Sequence, residues 1–239
     1  MSKREELREK RRRSQQRNML TGVLIVVGIA AIIIAVVIFR TQAMVSNITM
    51  ANILDYPPSQ DNTLGDPNAP VRIDEFADFQ CPACRQFHET TMQQLLDTYI
   101  KTGKVYFVFH NFPFIDSGAP GNESLDAAMA TLCAADQSQF WPFHDMLFAN
   151  QIGENVGSFT RARLKAIAEA LGMDAAAFDS CLSQGAHQAQ ITEDIALATE
   201  SGVRSTPSFL INGQLVVGAQ PFSAMSSLIE TELSSGNSQ

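Results

Sequence analysis

Leu20 to Phe39 is an unbroken run of 20 residues without a charge, and no other feature limits the architecture of this chain as much. As a helix rising about 1.5 Å per residue, such a run spans a hydrocarbon layer roughly 30 Å thick. Eight Lys and Arg precede it between Lys3 and Arg17, against three Glu, and only Arg40 stands close behind it. That excess of cations on one side puts the N-terminus in the cytoplasm and everything after Arg40 outside. A basic tail for nucleic acid is a weak reading, because a spanning segment follows it directly. A cleaved signal peptide is the better rival. Thr41-Gln42-Ala43 makes a poor small-x-small site, however, and the apolar stretch exceeds the roughly 7–15 residues of a signal core. The expectation is a retained single-pass anchor in the cell membrane, meeting the lipid bilayer through residues 20–39.

The anchor divides the chain. A basic cytoplasmic tail covers 1–18, the transmembrane helix 19–39, a stalk or linker 40–60, one folded domain 61–233, and a frayed tail 234–239. The stalk reading rests on Asp55-Tyr56-Pro57-Pro58-Ser59-Gln60-Asp61-Asn62, which is turn-rich and has no apolar period. From Thr41 onward eight Lys and Arg face twenty-two Asp and Glu, so a phosphate backbone would be repelled and no nucleic-acid partner is expected. At 45% hydrophobic and 18% charged, the chain can bury a core.

An exported domain lives where disulfides survive. The four cysteines form two kinds of pair: Cys81 and Cys84 at CxxC spacing, then Cys133 and Cys181, far apart in sequence. A structural zinc site draws its ligands from two close pairs, which the second pair does not offer. Val71-Arg72-Ile73-Asp74-Glu75-Phe76 reads as a strand entering the core. After Cys81-Pro82-Ala83-Cys84, the residues Cys84, Phe87, Thr91, Leu95 and Tyr99 recur at spacings of three and four, so Cys84 lies on a buried helical stripe. Cys81 then falls at the helix start, where unpaired N–H groups and the helix dipole favour an anion. Pro82 suits the first turn, where its missing N–H would have had no partner. A thiolate is both nucleophile and leaving group in exchange, so stabilising it lowers its pKa and makes the disulfide more oxidising. The alternative is an inert staple, but a staple closing so short a loop constrains the unfolded chain little.

Asp66-Pro67-Asn68-Ala69-Pro70-Val71 and Glu75-Phe76-Ala77-Asp78-Phe79-Gln80-Cys81-Pro82-Ala83-Cys84-Arg85 resemble the DsbA-like branch of the thioredoxin superfamily, bacterial extracytoplasmic thiol:disulfide oxidoreductases. Three later segments match in order. Glu123 to Ala134 with Phe140 to Asp145 resembles the family's helical insertion. Gly202-Val203-Arg204-Ser205-Thr206-Pro207-Ser208-Phe209 resembles its cis-proline loop, and Ile211-Asn212-Gly213-Gln214 through Gly218 its closing hairpin. The resemblance covers about 66–233. It implies an α/β, thioredoxin-like fold with an all-helical insertion, the core at 61–117 and 196–233 and the insertion at about 118–195.

The resemblance also implies roles. Cys81 attacks and faces solvent; Cys84 resolves. Thr206-Pro207, cis in the family, lies across from Cys81 and presents the Thr206 backbone to an extended polypeptide, so that main-chain hydrogen bonds give affinity with little sequence preference. An ordinary trans proline opening a strand is the alternative. Glu75 stands where relatives keep a buried acid; a carboxyl in an apolar strand has a raised pKa and suits a proton acceptor for Cys84 through water. Asp74 points to the opposite strand face. His88, one helical turn after Cys84, could tune the pair or simply pack. His110 and His144 read as structural. Cys133 and Cys181 are expected to form a structural disulfide between two helices of the insertion, contributing about 2–4 kcal/mol.

The expected reaction is oxidation of cysteine pairs in unfolded or newly exported polypeptides. Reoxidation calls for a quinone-linked membrane partner of the DsbB or vitamin-K-epoxide-reductase type, and tethering raises the effective concentration of such a partner. The motif requires no metal and no organic cofactor; some relatives bind calcium, but no acidic loop fits an EF-hand. Two rivals stand beside this reading. One is a reductase or isomerase on the same fold, since Pro82-Ala83 alone does not set the direction. The other is an anchored binding or chaperone module without turnover.

Overall fold

The computed structural model describes residues 18–38, 47–59, 61–118 and 121–236. The basic tail over 1–17, the junction over 39–46 and the last three residues lie outside the described residues. Helix α1 (Asn18–Ile38) has a mean hydropathy of 3.1 and is long and apolar enough to cross a membrane.

The second unit begins at Ile48 and is built on one five-stranded sheet. Its strands are β1 (Thr63–Leu64), β2 (Val71–Ala77), β3 (Val105–Asn111), β4 (Ser208–Ile211) and β5 (Gln214–Val217), in the order β1-β3-β2-β4-β5. Only β2 and β3 run parallel. Parallel strands are covered on both faces, and every residue of β2 except Arg72 is buried. The β4–β5 hairpin turns on Asn212 (φ +46°) and Gly213 (φ +87°), the left-handed pair that a two-residue hairpin turn requires.

The connection from β2 to β3 begins as α2 (Pro82–Phe87). It widens into a π-helical turn at His88–Met92, resumes as α3 (Gln93–Leu95) and ends in a second π turn at Leu96–Ile100. The sequence explains the widening. From Phe87 the buried stripe advances by four residues three times, through Thr91 and Leu95 to Tyr99, all buried. A regular α-helix would carry that stripe about 40° further round at each step. Two π turns absorb the drift and keep it facing the sheet.

After β3 a 3₁₀ turn (Ile115–Gly118) leads into five helices: α4 (Glu123–Ala135), α5 (Phe140–Ala149), α6 (Arg161–Ala170), α7 (Ala175–Gln184) and α8 (Gln188–Glu200). The boundary expected at 195 falls inside α8, which continues to Glu200. Helix α9 (Phe222–Gly236) closes the domain and includes Ser234 and Ser235, where fraying was expected. Asp194 of α8 and Asp74 of β2 each approach His110 of β3 to 2.8 Å, tying α8 to the sheet. Cys133 and Cys181 are bonded, joining α4 to α7 with Cα atoms 5.8 Å apart. Phe79, Phe109, Phe140, Trp141 and Phe148 surround His144 where the insertion meets the sheet.

Residues 48–59 depart from the stalk expected over 40–60. They run as a strap along α5: Thr49 N–H donates to Asn150 Oδ1 (2.8 Å), and Leu54 N–H to Asp145 Oδ2 (2.9 Å). Asn150 returns a bond to the Thr49 carbonyl (2.8 Å), and the Tyr56 hydroxyl reaches Asp145 Oδ1 at 2.6 Å. Side chains of α5 and its C-cap Asn150, and no ladder, satisfy the N–H groups of Thr49, Ala51 and Leu54. The strap therefore has no apolar period to read.

Candidate active site

Strand β2 leaves the sheet into a tight turn that ends on the first cysteine. Cys81 N–H bonds the Asp78 carbonyl (3.0 Å), and Cys81 is the N-cap of α2, extended at φ −73°, ψ 119°, with Pro82 next. The sulfurs have different surroundings. Both are free thiols and both are buried, Cys81 at 7% exposure and Cys84 at 0%, so the solvent-facing Cys81 implied by the resemblance is open to solvent only slightly. Thr206-Pro207 is cis, and Cys81 Sγ lies 3.3 Å from the Thr206 carbonyl oxygen. Of the five residues expected to act here, Cys81, Cys84, Thr206 and Pro207 are together, and the fifth, Glu75 on β2, is near enough to respond to the Cys81 charge.

Their electrostatics diverge. The Cys84 thiol donates to Cys81 and, against the opposing effect of burial, pulls its pKa down to about 6. Thr206 and the N–H groups of Ala83 and Cys84 add to the pull, the arrangement expected where a helix start meets an anion. Burial pushes Cys84 well above the ordinary thiol range, and its bond to Cys81 adds to this. Burial likewise raises Glu75 to about 8, with the Cys81 charge contributing. Glu75 pairs laterally with Phe109 and Phe209, so neither sheet neighbour supplies a countercharge. Asp74 is engaged on the other face. Despite burial, bonds from Arg72 (2.6 and 2.8 Å) and His110 hold its pKa below the usual carboxylate value.

His88 packs against Phe148 (ring centroids 5.2 Å apart), and burial lowers its pKa to about 4. His110 is opposed by its burial, yet its bonds to Asp194 and Asp74 hold it up at about 9. His144 is buried edge-on to Phe79 and Phe109.

Sequence reasoning missed the residues that hold this turn. The Gln151 side-chain amide, from the loop after α5, donates to the carbonyls of Phe79 (2.5 Å) and Cys81 (3.1 Å). Arg85 Nη1 donates to the Gln151 carbonyl (3.1 Å). Gln80, wholly buried, donates to Ser124 Oγ (2.8 Å) and accepts from Asn155 N–H (2.6 Å). Asp78 accepts from Gln80 N–H, Ser124 Oγ and Ile115 N–H. The insertion thus grips the cysteine turn at several points, and no spacing in the sequence marks them.

The profile of the family described as Thioredoxin matches residues 59–231. The chain belongs to the thioredoxin family. Within it the chain is DsbA-like. It is 33% identical over 182 residues to the probable disulfide bond formation protein D of Bacillus cereus, covering 73% of this chain and 80% of that one. Disulfide bond formation protein D of Bacillus subtilis is 27% identical over 184 residues, covering 71% and 76%. Among solved structures, oxidised BdbD from Bacillus subtilis superposes with a TM-score of 0.65 at 25% identity, over 78% of this chain and 100% of that one. Wolbachia pipientis α-DsbA1 gives 0.64 at 25%, over 76% and 95%. These structures support the fold assignment.

Proposed function

We propose that this protein is a thiol:disulfide oxidoreductase that introduces disulfides into exported proteins by exchange through Cys81 and Cys84. One observation carries the reading: Cys81 is held as a thiolate near neutral pH while Cys84, within bonding reach, is held as a thiol. Stabilising the reduced pair makes the oxidised pair a stronger oxidant.

A substrate thiolate attacks Cys81 Sγ of the closed disulfide. The Cys81–Cys84 bond breaks, and the electron pair leaves on Cys84 Sγ. Glu75, whose burial favours the protonated form even when Cys81 carries no charge, supplies the proton that Cys84 takes up. A second substrate thiolate then attacks the substrate sulfur of the mixed disulfide, and Cys81 departs as a good leaving group because its anion is stabilised. The substrate gains a disulfide and the enzyme holds two more electrons. Reoxidation runs the proton the other way, and capping Cys81 removes the charge that holds Glu75 and Cys84 up. The Thr206 carbonyl beside Cys81 supports main-chain docking of an extended substrate.

The apolar length of α1 and the cationic residues before it support attachment to the cell membrane with the catalytic domain outside. A quinone-linked membrane protein of the DsbB or vitamin-K-epoxide-reductase type is the reoxidant we propose. The deciding experiment combines oxidation of a reduced dithiol substrate by wild type, Cys81→Ser and Cys84→Ser with the reduction potential of the pair. A potential well above the thioredoxin level of about −270 mV supports the oxidase. A value at or below it makes the protein a reductase, and equal rates in all three proteins would leave a binding module.

A further inference from the structure

His88, His144 and Asp145 meet beneath the cysteine helix in a way that the exchange reaction does not use. His144 Nδ1 lies 3.1 Å and His88 Nε2 3.5 Å from Asp145 Oδ1. One donor atom from each of the three residues falls within 4.8 Å of the others. The two imidazoles stand nearly perpendicular, ring centroids 4.9 Å apart. His88 is poorly provided for: its Nδ1 is buried without a partner, and its Nε2 has only the long contact to Asp145. With only that long contact, the Nε2 lone pair is open to another partner, and Nδ1 then carries the ring proton.

A cavity of about 280 Å³ between the strap and α5 is lined by both His88 and Asp145, and by Glu89. It gives a route in and room for a further ligand. The Asp145 carboxylate is already oriented by Leu54 N–H on Oδ2 and the Tyr56 hydroxyl on Oδ1, the kind of outer support that metal-binding carboxylates have.

We propose that His88 Nε2, His144 Nδ1 and Asp145 Oδ1 bind a divalent transition ion of the zinc type, with water or Glu89 completing the shell. Ligands at about 2.0–2.1 Å in a tetrahedral shell sit roughly 3.3 Å apart. The two contacts to Asp145 Oδ1 already approach that separation. Two imidazoles and one carboxylate favour zinc and its neighbours over calcium or magnesium, which take oxygen shells. On binding, His144 carries its proton on Nε2 so that Nδ1 offers its lone pair; no electron is transferred. The ion would join the π turn after α2 to α5 and, through Asp145, to the strap. The site is independent of the exchange reaction.

The test uses the full chain in detergent with Cys81 and Cys84 closed as a disulfide, so that no thiolate competes for the ion. Cobalt(II) serves as the probe. One equivalent should give the visible bands of a low-coordinate ion without a sulfur charge-transfer band, and zinc should displace it. His88→Gln should weaken binding at least about 10-fold. X-ray absorption on the zinc-loaded wild type should show two imidazoles and no sulfur. Only this pair of histidines can supply them, since His110 bonds Asp74 and Asp194 and His187 lies on Asp136. The absence of cobalt bands, undiminished binding in His88→Gln, or a shell with fewer than two imidazoles overturns the proposal. The absorption measurement decides it even if His88→Gln fails to fold.

Discussion

The two cysteine pairs occupy opposite kinds of place. Cys81 and Cys84 straddle the start of a helix, where backbone N–H groups, a neighbouring thiol and Thr206 favour a negative sulfur. Cys133 lies inside α4, wholly buried, and its bond to Cys181 crosses to another helix of the insertion. Neither sulfur of that second pair caps a helix. The same atoms are therefore a reagent in one position and a brace in the other. What differs is where charge can be stabilised.

The largest expected effect breaks the comparison at its active member. Cys81→Ser should reduce dithiol oxidation to background, whereas Cys133→Ala with Cys181→Ala should leave the rate within about twofold while the protein is folded. That double variant should lose about 2–4 kcal/mol of stability in chemical denaturation. Equal loss of activity in the two variants would erase the distinction.

Glu75→Gln should slow exchange about 100-fold at neutral pH, the low end for a lost proton-transfer group. It should also change the pH dependence of stability. Folding raises the Glu75 pKa from an unfolded value near 4.5 to about 8. The protonated folded state is therefore favoured below pH 4.5, and that advantage is lost progressively as pH rises through 8. The variant should match wild type in acid and exceed its stability near pH 8, read from denaturation midpoints across the range. A constant difference at every pH would place the raised pKa in doubt.

A smaller effect sharpens the contrast from outside the motif. Gln151→Ala removes two bonds to the cysteine turn and should raise the Cys81 pKa by about one unit, or about 1.4 kcal/mol. Thiolate absorbance against pH would read it, and an unchanged titration in a folded variant would reduce Gln151 to packing.

The sequence made the local parts of this site readable. Val71 to Phe76 alternates with turn and helix signals around Cys81, and Asn212-Gly213 announces its hairpin, because each pattern is fixed by residues a few positions apart. Resemblance supplied Thr206-Pro207, and the pairing of Cys133 with Cys181 followed from the two cysteines left over by the CxxC pair. Gln151 stands 72 residues from Phe79 and 70 from Cys81, and a bond of that reach leaves no periodic trace. The strap was opaque for a related reason: Leu54 and Tyr56 are held by Asp145, and a chain fastened by one helix's side chains reads as loop. His110, bracketed by Asp74 and Asp194, is structural as expected, but its partners were not foreseeable.

The hold of Gln80, Gln151 and Arg85 on the cysteine turn has a practical consequence for protein engineering. The lobe of inserted helices is not a removable cover over a self-sufficient motif. Grafting the Cys81–Cys84 turn onto a bare thioredoxin scaffold, or exchanging the lobe for a relative's, should shift the electrochemical setting of the sulfurs with every cysteine left in place.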